Sequence, residues 1–354
     1  MGSVRSLPKS FAIQGIEIGP SRPAFLLAEI ALVHDGSLGT AHAYIDAVAR
    51  TGAHGIKFQT HIAEAESTLR EPFRVRFSPQ DETRFDYWKR TSFTAPQWAG
   101  LATHAREKGL VFLSSPFSEE AIDLLESIGT PAYKIGSGET LNLPLVEKAA
   151  RTGKPVILST GLATWPDIDA AVDLVAAAGA PVAVLQCTSA YPCPAERVGL
   201  NLLPELASRY ACPYGLSDHS GTIFAGLAAA TLGANIVEVH VVFSKECFGP
   251  DVPASLTLDE LKTLVDGCEF IHRARSGAVQ KDEVSPDVAA MRGIFSKSVV
   301  AKMRFELGHV IASGDLALKK PGGGTPPAKM QSLVGRVLTR TVEKDEWITD
   351  ADVE

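Results

Sequence analysis

Short apolar runs alternate with amphipathic helical patterns along residues 25–276. Eight runs have the length and composition of buried β-strands. They are predicted at residues 25–31, 55–60, 110–115, 132–137, 155–160, 182–188, 214–219 and 236–243. Helices are predicted between them, at residues 38–51, 96–108, 119–128, 167–178 and 222–232 among others. Eight β/α units in about 250 residues are typical of a (β/α)8 TIM barrel. A doubly wound sheet is the alternative, although it would seldom need eight similar units.

The pattern changes after residue 276. Residues 277–293 are predicted as a linker, and residues 294–354 show short β-like runs without helix–strand alternation. Residues 310–316 resemble residues 347–353, which indicates a pseudo-two-fold repeat. We therefore predict a barrel domain over residues 1–276 and a small β-rich domain over residues 294–354.

Polar or charged residues occur at the C-terminal ends of nearly all eight predicted strands. Buried parallel strands are normally apolar throughout, because an unpaired interior charge is costly. The C-terminal ends of barrel strands form the face where active sites lie. This distribution predicts a functional barrel mouth. Residues 61–93, long and rich in charged and aromatic residues, are predicted to be a lid over it.

Composition narrows the class of protein. The chain has 354 residues, 45% of them hydrophobic and 21% charged, as in soluble globular proteins. A net charge of -7 without a basic run argues against nucleic-acid binding. No apolar stretch has membrane-spanning length, and residues 1–6 match the N-myristoylation pattern only formally. Five cysteines without a C-x-x-C pair predict a reducing cytoplasm.

Two lysines and four serines at the predicted mouth favour an anion site. Ammonium and hydroxyl groups suit phosphate or carboxylate, and the residues are Lys57, Lys134, Ser115, Ser137, Ser159 and Ser217. A Schiff base on Lys134 is an alternative. It would need no metal and would leave two histidines unexplained.

Those histidines are His219 and His240, at the ends of consecutive predicted strands. Consecutive strand ends are neighbours in a barrel, so the two imidazoles are expected to meet at the mouth. Two imidazoles with water or carboxylate suit Mn, Zn, Co or Fe. A metal with open positions polarises a carbonyl or lowers the pKa of bound water. The alternative is that each is a hydrogen-bonded core histidine.

Nine motifs in order resemble the sialic acid (nonulosonate) synthase family, which condenses phosphoenolpyruvate with an acylated amino-sugar. They are AEI at 28–30, IKFQT at 56–60, SSPF at 114–117, YKIGSGE at 133–139, STG at 159–161, QCTSAYP at 186–192, GLSDH at 215–219, EVH at 238–240 and GPD at 249–251. The tail resembles the antifreeze-like (SAF) domain that follows the barrel in that family. The resemblance covers nearly the whole chain and implies a transferase.

The resemblance also implies roles for particular residues. Phosphoenolpyruvate would be bound by Lys57, Ser115, Lys134, Ser137, Ser159 and Ser217. His219 and His240 would hold a divalent metal, with Mn2+ expected and Mg2+ or Co2+ as alternatives. The sugar would be oriented, or proton transfers assisted, by Glu29, Gln59, Glu139, Ser189, Tyr191 and Asp251, with Glu29 and Glu139 as candidate bases. In related enzymes the SAF domain of one subunit closes the other's barrel, which implies a domain-swapped homodimer.

Three departures from the family pattern leave the sugar open, two at single residues and one in the loop at residues 319–327. Ser189 stands where members using N-acetylmannosamine commonly have Asn, and Lys297 stands where they have an Arg that approaches the N-acyl group. The candidates are N-acetylmannosamine, its phosphate and a 2,4-diacetamido hexose.

Two alternative functions are a barrel synthase that makes a deoxy-ketoaldonic acid phosphate from a phosphorylated aldose, and a non-catalytic carbohydrate-binding barrel. The first does not explain the tail, and the second does not explain the lysines and histidines.

Overall fold

The computed structural model describes residues 7–354, so the acylation pattern at residues 1–6 lies outside the described residues. The chain divides into two compact units, the first ending at Gly277 and the second spanning Ala278–Glu354. None of the helices in the described part of the chain is long and apolar enough to cross a membrane.

Residues 7–277 of the first unit contain eleven strands and ten α-helices. In chain order they are β1 (Phe11–Ile13), β2 (Ile16–Ile18), β3 (Phe25–Ala31), α1 (Leu38–Ala49), β4 (Gly55–Thr60), α2 (Ala63–Glu66), α3 (Arg84–Thr91), α4 (Ala95–Glu107), β5 (Val111–Pro116), α5 (Glu119–Ser127), β6 (Tyr133–Ile135), α6 (Leu143–Arg151), β7 (Val156–Ser159), α7 (Trp165–Ala177), β8 (Val182–Cys187), α8 (Leu203–Tyr210), β9 (Tyr214–Asp218), α9 (Phe224–Thr231), β10 (Ile236–Val242), β11 (Ser255–Thr257) and α10 (Leu258–Ser276). The eight predicted strands correspond to β3–β10.

Eight parallel strands form a nearly closed barrel. Their order is β5-β4-β3-β10-β9-β8-β7-β6, with β11 added beside β10. β5 and β6 lie side by side and complete the circle. The prediction of a TIM barrel is confirmed, and the consecutive strands β9 and β10 are neighbours as expected.

The interior of the barrel changes from apolar to polar along each strand. Side chains two residues apart face the same side of a strand. Along β3, Phe25 and Leu27 belong to the interior apolar cluster, and Glu29 follows on the same face. Along β7, Ile157 is followed by Ser159 in the same way. Polar groups are therefore collected at the C-terminal end of the barrel.

The N-terminal hairpin β1–β2 is absent from the sequence-based prediction. Its two-residue turn, Gln14 and Gly15, has φ values of 49° and 82°, the backbone that tight hairpins require. Phe11, Ile13 and Ile18 pack against the apolar interior residues at the N-terminal ends of the barrel strands. The hairpin thus closes the end of the barrel opposite the polar one.

The second unit contains α11 (Pro286–Phe295), β12 (Ser298–Ala301), β13 (Leu316–Lys319) and α12 (Met330–Leu333). Helix α11 begins after Ser285, which accepts a bond from Val288 N, so a helix occupies much of the predicted linker. The predicted repeat is visible in two matching turns. Asp315 accepts from Ala312 N and Asp352 from Thr349 N, each at 2.8 Å.

Candidate active site

The polar end of the barrel opens into a cavity of about 520 Å³. Fourteen of the fifteen residues predicted for the site line it, namely Glu29, Lys57, Gln59, Ser115, Lys134, Ser137, Glu139, Ser159, Ser189, Tyr191, Ser217, His219, His240 and Asp251. The exception is Lys297, an exposed residue of the second unit. The structure therefore brings the predicted barrel residues together, while their individual roles remain predictions.

A buried network of opposite charges lies deepest in the cavity. Lys57 Nζ is 2.8 Å from Glu29 Oε2 and donates to Ser115 Oγ at 3.1 Å. Lys134 Nζ donates to Ser159 Oγ at 2.6 Å. We call this network, completed by Glu238, the inner site. Its two lysine side chains are only 4% and 2% exposed, so only a ligand that reaches the barrel interior can contact them.

Glu238 connects the two lysines and was not among the residues predicted for the site. Its Oε1 atom is 3.5 Å from Lys134 Nζ and 3.9 Å from Lys57 Nζ, and it accepts from Ser217 Oγ at 2.9 Å. Burial by itself would raise the pKa of Glu238, but the two lysines outweigh burial and lower that pKa. Glu238 is therefore a carboxylate that holds two ammonium groups in place.

For Glu29 and Lys134, in contrast to Glu238, burial outweighs the neighbouring charges in setting the pKa. Burial raises the pKa of Glu29, although Lys57 opposes the shift. Burial also lowers the pKa of Lys134. A carboxyl group with a raised pKa exchanges protons closer to neutral pH, which is the property required of a general base. Glu29 is thus the inner residue best suited to proton transfer.

His219 and His240 meet at the mouth as predicted, with ring centroids 5.2 Å apart. Burial lowers the pKa of each imidazole to about 3, so both are neutral at pH 7. His219 Nδ1 is 3.0 Å from the carbonyl oxygen of Thr188, which can only accept, so Nδ1 donates and Nε2 keeps its lone pair. A neutral imidazole oriented through its other nitrogen is the usual state of a metal ligand.

The donor set fits an open metal site. Within residues 7–354 no group of three His, Cys, Asp or Glu side chains is arranged to hold a metal. A metal held by His219 and His240 would take two imidazole ligands from the protein, with water or substrate in its other positions.

The lid segment, residues 61–93, lines the outer part of the cavity and contributes residues that the sequence analysis did not single out. Arg74 Nη2 donates to Asp251 Oδ1 at 2.6 Å, and its guanidinium lies 4.1 Å from the centre of the Tyr191 ring. Stacking of this kind on an aromatic face is favourable for arginine. Arg74 therefore connects the lid segment to two residues predicted to bind the sugar.

His61 joins the lid segment to the inner site. Gln59 Nε2 donates to Glu29 Oε1 at 2.9 Å, which leaves Gln59 Oε1 to accept from His61 Nε2 at 3.1 Å. The His61 ring stacks between Trp88 and Phe117, at centroid distances of 4.0 and 4.2 Å. The sequence did contain a signal that His61 belongs to the site. Residues 57, 59 and 61 are two positions apart, so His61 continues the strand face that carries Lys57 and Gln59.

All five cysteines are free. Cys187 lines the cavity, and its Sγ lies 3.8 Å from His219 Nδ1. Burial raises the pKa of the Cys187 thiol, which keeps it protonated. A protonated thiol is a poor nucleophile, so the burial of Cys187 does not favour covalent chemistry at its sulfur.

Comparison with known proteins gives the family of the chain. Residues 44–280 match the NeuB family, and residues 296–354 match the SAF domain. The N,N'-diacetyllegionaminic acid synthase of Campylobacter jejuni subsp. jejuni serotype O:2 is 31% identical over 335 residues, covering 93% of this chain and 100% of that protein. The N-acetylneuraminate-9-phosphate synthase of Homo sapiens is 32% identical over 339 residues, which cover 94% of this chain and 93% of that protein.

A solved structure shows the same relationship. The N-acetylneuraminic acid (sialic acid) synthetase of Leptospira borgpetersenii serovar Hardjo-bovis, crystallised with citrate, has a TM-score of 0.71 and 30% identity. The match covers 80% of this chain and 95% of that one. The relatives are nonulosonic acid synthases, and the predicted resemblance is confirmed. The chain belongs to the NeuB family, and it carries a SAF domain at its C-terminal end.

Proposed function

We propose that the barrel condenses phosphoenolpyruvate with the open-chain form of an acylated amino-sugar, which makes a nine-carbon 2-keto acid and inorganic phosphate. One observation carries the proposal. Two buried lysines with serine partners share a single cavity with two neutral histidines and a row of carboxylates. An anionic reactant and a polyhydroxylated one can therefore be held side by side.

The inner site is suited to phosphoenolpyruvate. Lys57 and Lys134 are proposed to face its phosphate and carboxylate, with hydroxyl donors from Ser115, Ser137, Ser159 and Ser217. Lys57 and Lys134 are held by Glu29 and Glu238 before a ligand enters, so their positions are already fixed. Fixed donors lower the cost of ordering the reactant and hold it in one orientation.

The metal proposed here would be held by His219 and His240, with Mn2+ expected and Mg2+ or Co2+ as alternatives. When bound, a divalent cation polarises a carbonyl oxygen, which suits activation of a sugar aldehyde. Thr188 fixes the orientation of His219 for this role through its carbonyl oxygen.

The condensation requires two proton-handling groups. C3 of phosphoenolpyruvate forms the new bond to the sugar aldehyde carbon, water adds at C2, and phosphate leaves as the C2–O bond breaks. Glu29 and Glu139 are the two candidates for the base that removes a proton from the water, and burial raises the pKa of both carboxyl groups. The aldehyde oxygen takes up one proton as it becomes a hydroxyl group, so the proton lost by the water balances the one gained by the sugar. Gln59, Ser189, Tyr191 and Asp251 are proposed to orient the sugar.

We also propose that the active form is a domain-swapped homodimer in the cytoplasm, in which Lys297 approaches the partner's sugar. Helix α11 supports a partner, because Val288, Met291, Ile294 and Phe295 are exposed on it. Light scattering after gel filtration should give twice the chain mass of 37.6 kDa. A mass of one chain would contradict the dimer.

The five free cysteines agree with a reducing compartment.

A sugar panel tests the reaction directly. Purified protein is supplied with Mn2+ and phosphoenolpyruvate, and phosphate release is measured with acylated hexosamines, their phosphates, and phosphorylated aldoses without an acylamino group. Release only with an acylated amino-sugar is expected. Preference for a simple aldose phosphate would favour the alternative synthase, and no release with any sugar would contradict the proposal.

A further inference from the structure

The outer part of the cavity differs in charge from the inner site. We define the outer chamber by its six ionisable Asp, Glu and Arg residues, which are Glu66, Glu71, Arg74, Arg84, Glu139 and Asp251. Four of the six are carboxylates and two are guanidinium groups. Phosphoenolpyruvate would occupy the inner site, so the outer chamber is the space left for the far end of the sugar.

Both guanidinium groups of the outer chamber are already paired. Arg74 bonds to Asp251 at 2.6 Å, and Arg84 lies 3.3 Å from Glu71. Each is also held over an aromatic ring, Arg74 over Tyr191 and Arg84 over Trp88. An incoming anion would therefore meet guanidinium groups whose positive charge is already offset by a neighbouring carboxylate, even where some of their N–H donors are free.

The two other carboxylates, Glu66 and Glu139, are not paired, in the part of the chain that the structure describes, with a Lys or Arg that an incoming anion could bind. Glu66 Oε1 lies 2.6 Å from His61 Nδ1. Glu139 accepts from Asn142 Nδ2 at 2.9 Å and has no Lys or Arg partner within residues 7–354. Residues 7–354 of one chain thus give the outer chamber four carboxylates that can accept hydrogen bonds, and the only Lys or Arg side chains that they place there are the two paired arginines.

This arrangement favours some of the candidate sugars over others, because it distinguishes unphosphorylated acylated sugars from a sugar phosphate. Carboxylates accept charge-assisted hydrogen bonds from hydroxyl and amide N–H groups. Aromatic and aliphatic side chains at the same cavity, such as Phe73 and Phe77, can contact acyl methyl groups. A phosphate dianion would meet carboxylates instead, and like charges brought together in a binding site are strongly disfavoured.

We propose that the outer chamber takes the hydroxyl and acylamino groups of an unphosphorylated sugar and rejects the phosphate ester of that sugar. This inference rests on the proposed condensation and specifies its substrate class. A 2,4-diacetamido hexose or an N-acylated hexosamine satisfies it, and a hexosamine phosphate does not.

The test compares each N-acylated sugar with its own terminal phosphate ester. The ester is expected to have a kcat/KM on the order of 100-fold lower, because like-charge contacts oppose its binding. Equal or better activity with the ester would overturn the inference while leaving the condensation intact. Calorimetric binding of the same pairs without phosphoenolpyruvate supplies a second measurement. If no sugar is turned over, equal affinity for the ester still overturns the charge argument.

Two lid variants make the comparison specific. Glu71→Gln removes one carboxylate and frees Arg84, so the preference against the ester should shrink by about tenfold, as expected when one repulsive element is removed from a specificity site. Glu64→Gln is the matched control, because Glu64 makes the same charge change on the lid segment while pairing with Lys89 away from the cavity. A preference that changes equally in both variants, or in neither, would contradict the inference.

Discussion

The inner site and the lid segment line the same cavity and are built in opposite ways. The inner lysines stand on strands, are 4% and 2% exposed, and are held by carboxylates that are themselves buried. Arg74 of the lid segment is 37% exposed and reaches a partner 177 residues away in sequence. Charges in the interior are strongly coupled, and exposed pairs are screened by solvent. Substitutions in the inner site should therefore abolish turnover, and substitutions in the lid segment should adjust sugar affinity.

The largest effect is expected from Lys57→Met. The substitution removes a donor from the phosphoenolpyruvate site and leaves Glu29 buried without its cation, which costs about 3–5 kcal/mol in comparable buried pairs. We expect turnover to fall by at least ~10³-fold, together with a lower melting temperature. Phosphate-release kinetics and calorimetry measure the two quantities.

The double variant Lys57→Met/Glu29→Gln separates folding from function. Removing both charges should recover most of the lost stability, because neither group is left uncompensated. Activity should not recover. A double variant that regained activity would show that the lysine acts only through packing.

The next effect concerns the two histidines. His219→Ala and His240→Ala should each abolish retention of Mn2+, measured by elemental analysis after gel filtration, and reduce turnover by on the order of 100-fold or more. His104→Ala is the control, since His104 lies on α4 in a groove away from the cavity. Full activity of either site variant, or equal metal loss in the control, would contradict the paired-histidine site.

Arg74→Ala should show the smaller effect expected of the lid segment. The lost contacts are one partly exposed ion pair and one guanidinium–ring contact, each worth about 0.7 kcal/mol, so the KM for the sugar should rise about tenfold. The KM for phosphoenolpyruvate should change little. A comparable increase in both KM values would mean that the lid segment and the inner site are not distinct.

The sequence was sufficient for most of the barrel residues at the cavity, Glu238 excepted, because strand periodicity constrains their positions. Lys57, Lys134, His219 and His240 lie at the ends of buried runs, and barrel geometry brings such ends together. Arg74 could not be placed this way. The lid segment has no repeating period, and the position of Arg74 is set by Asp251 on a different loop.

Short or locally polar elements were missed for similar reasons. Strands β1 and β2 have three residues each, too few to show an alternating pattern. Helix α11 was predicted as a linker because residues 277–286 are polar, although Ser285 and Pro286 form a recognisable helix start. The contacts that stabilise these elements are visible only in the folded chain.

His61 provides the finest test, because it belongs to the lid segment and acts on the inner site. Its Nε2 atom donates to Gln59 Oε1, and that contact directs the Gln59 amide toward Glu29. His61→Phe keeps the stack between Trp88 and Phe117 while removing the hydrogen bond to Gln59 and the Nδ1 contact with Glu66. A lost hydrogen bond of this kind costs about 1 kcal/mol, so a roughly fivefold decrease in kcat/KM for the sugar is expected. His61→Asn, which keeps a donor but loses the stack, should lower the melting temperature more than His61→Phe does. If His61→Phe left kcat/KM for the sugar unchanged while His61→Asn reduced it, His61 would act by stacking alone. Its hydrogen bond to Gln59 would then have no effect on the inner site.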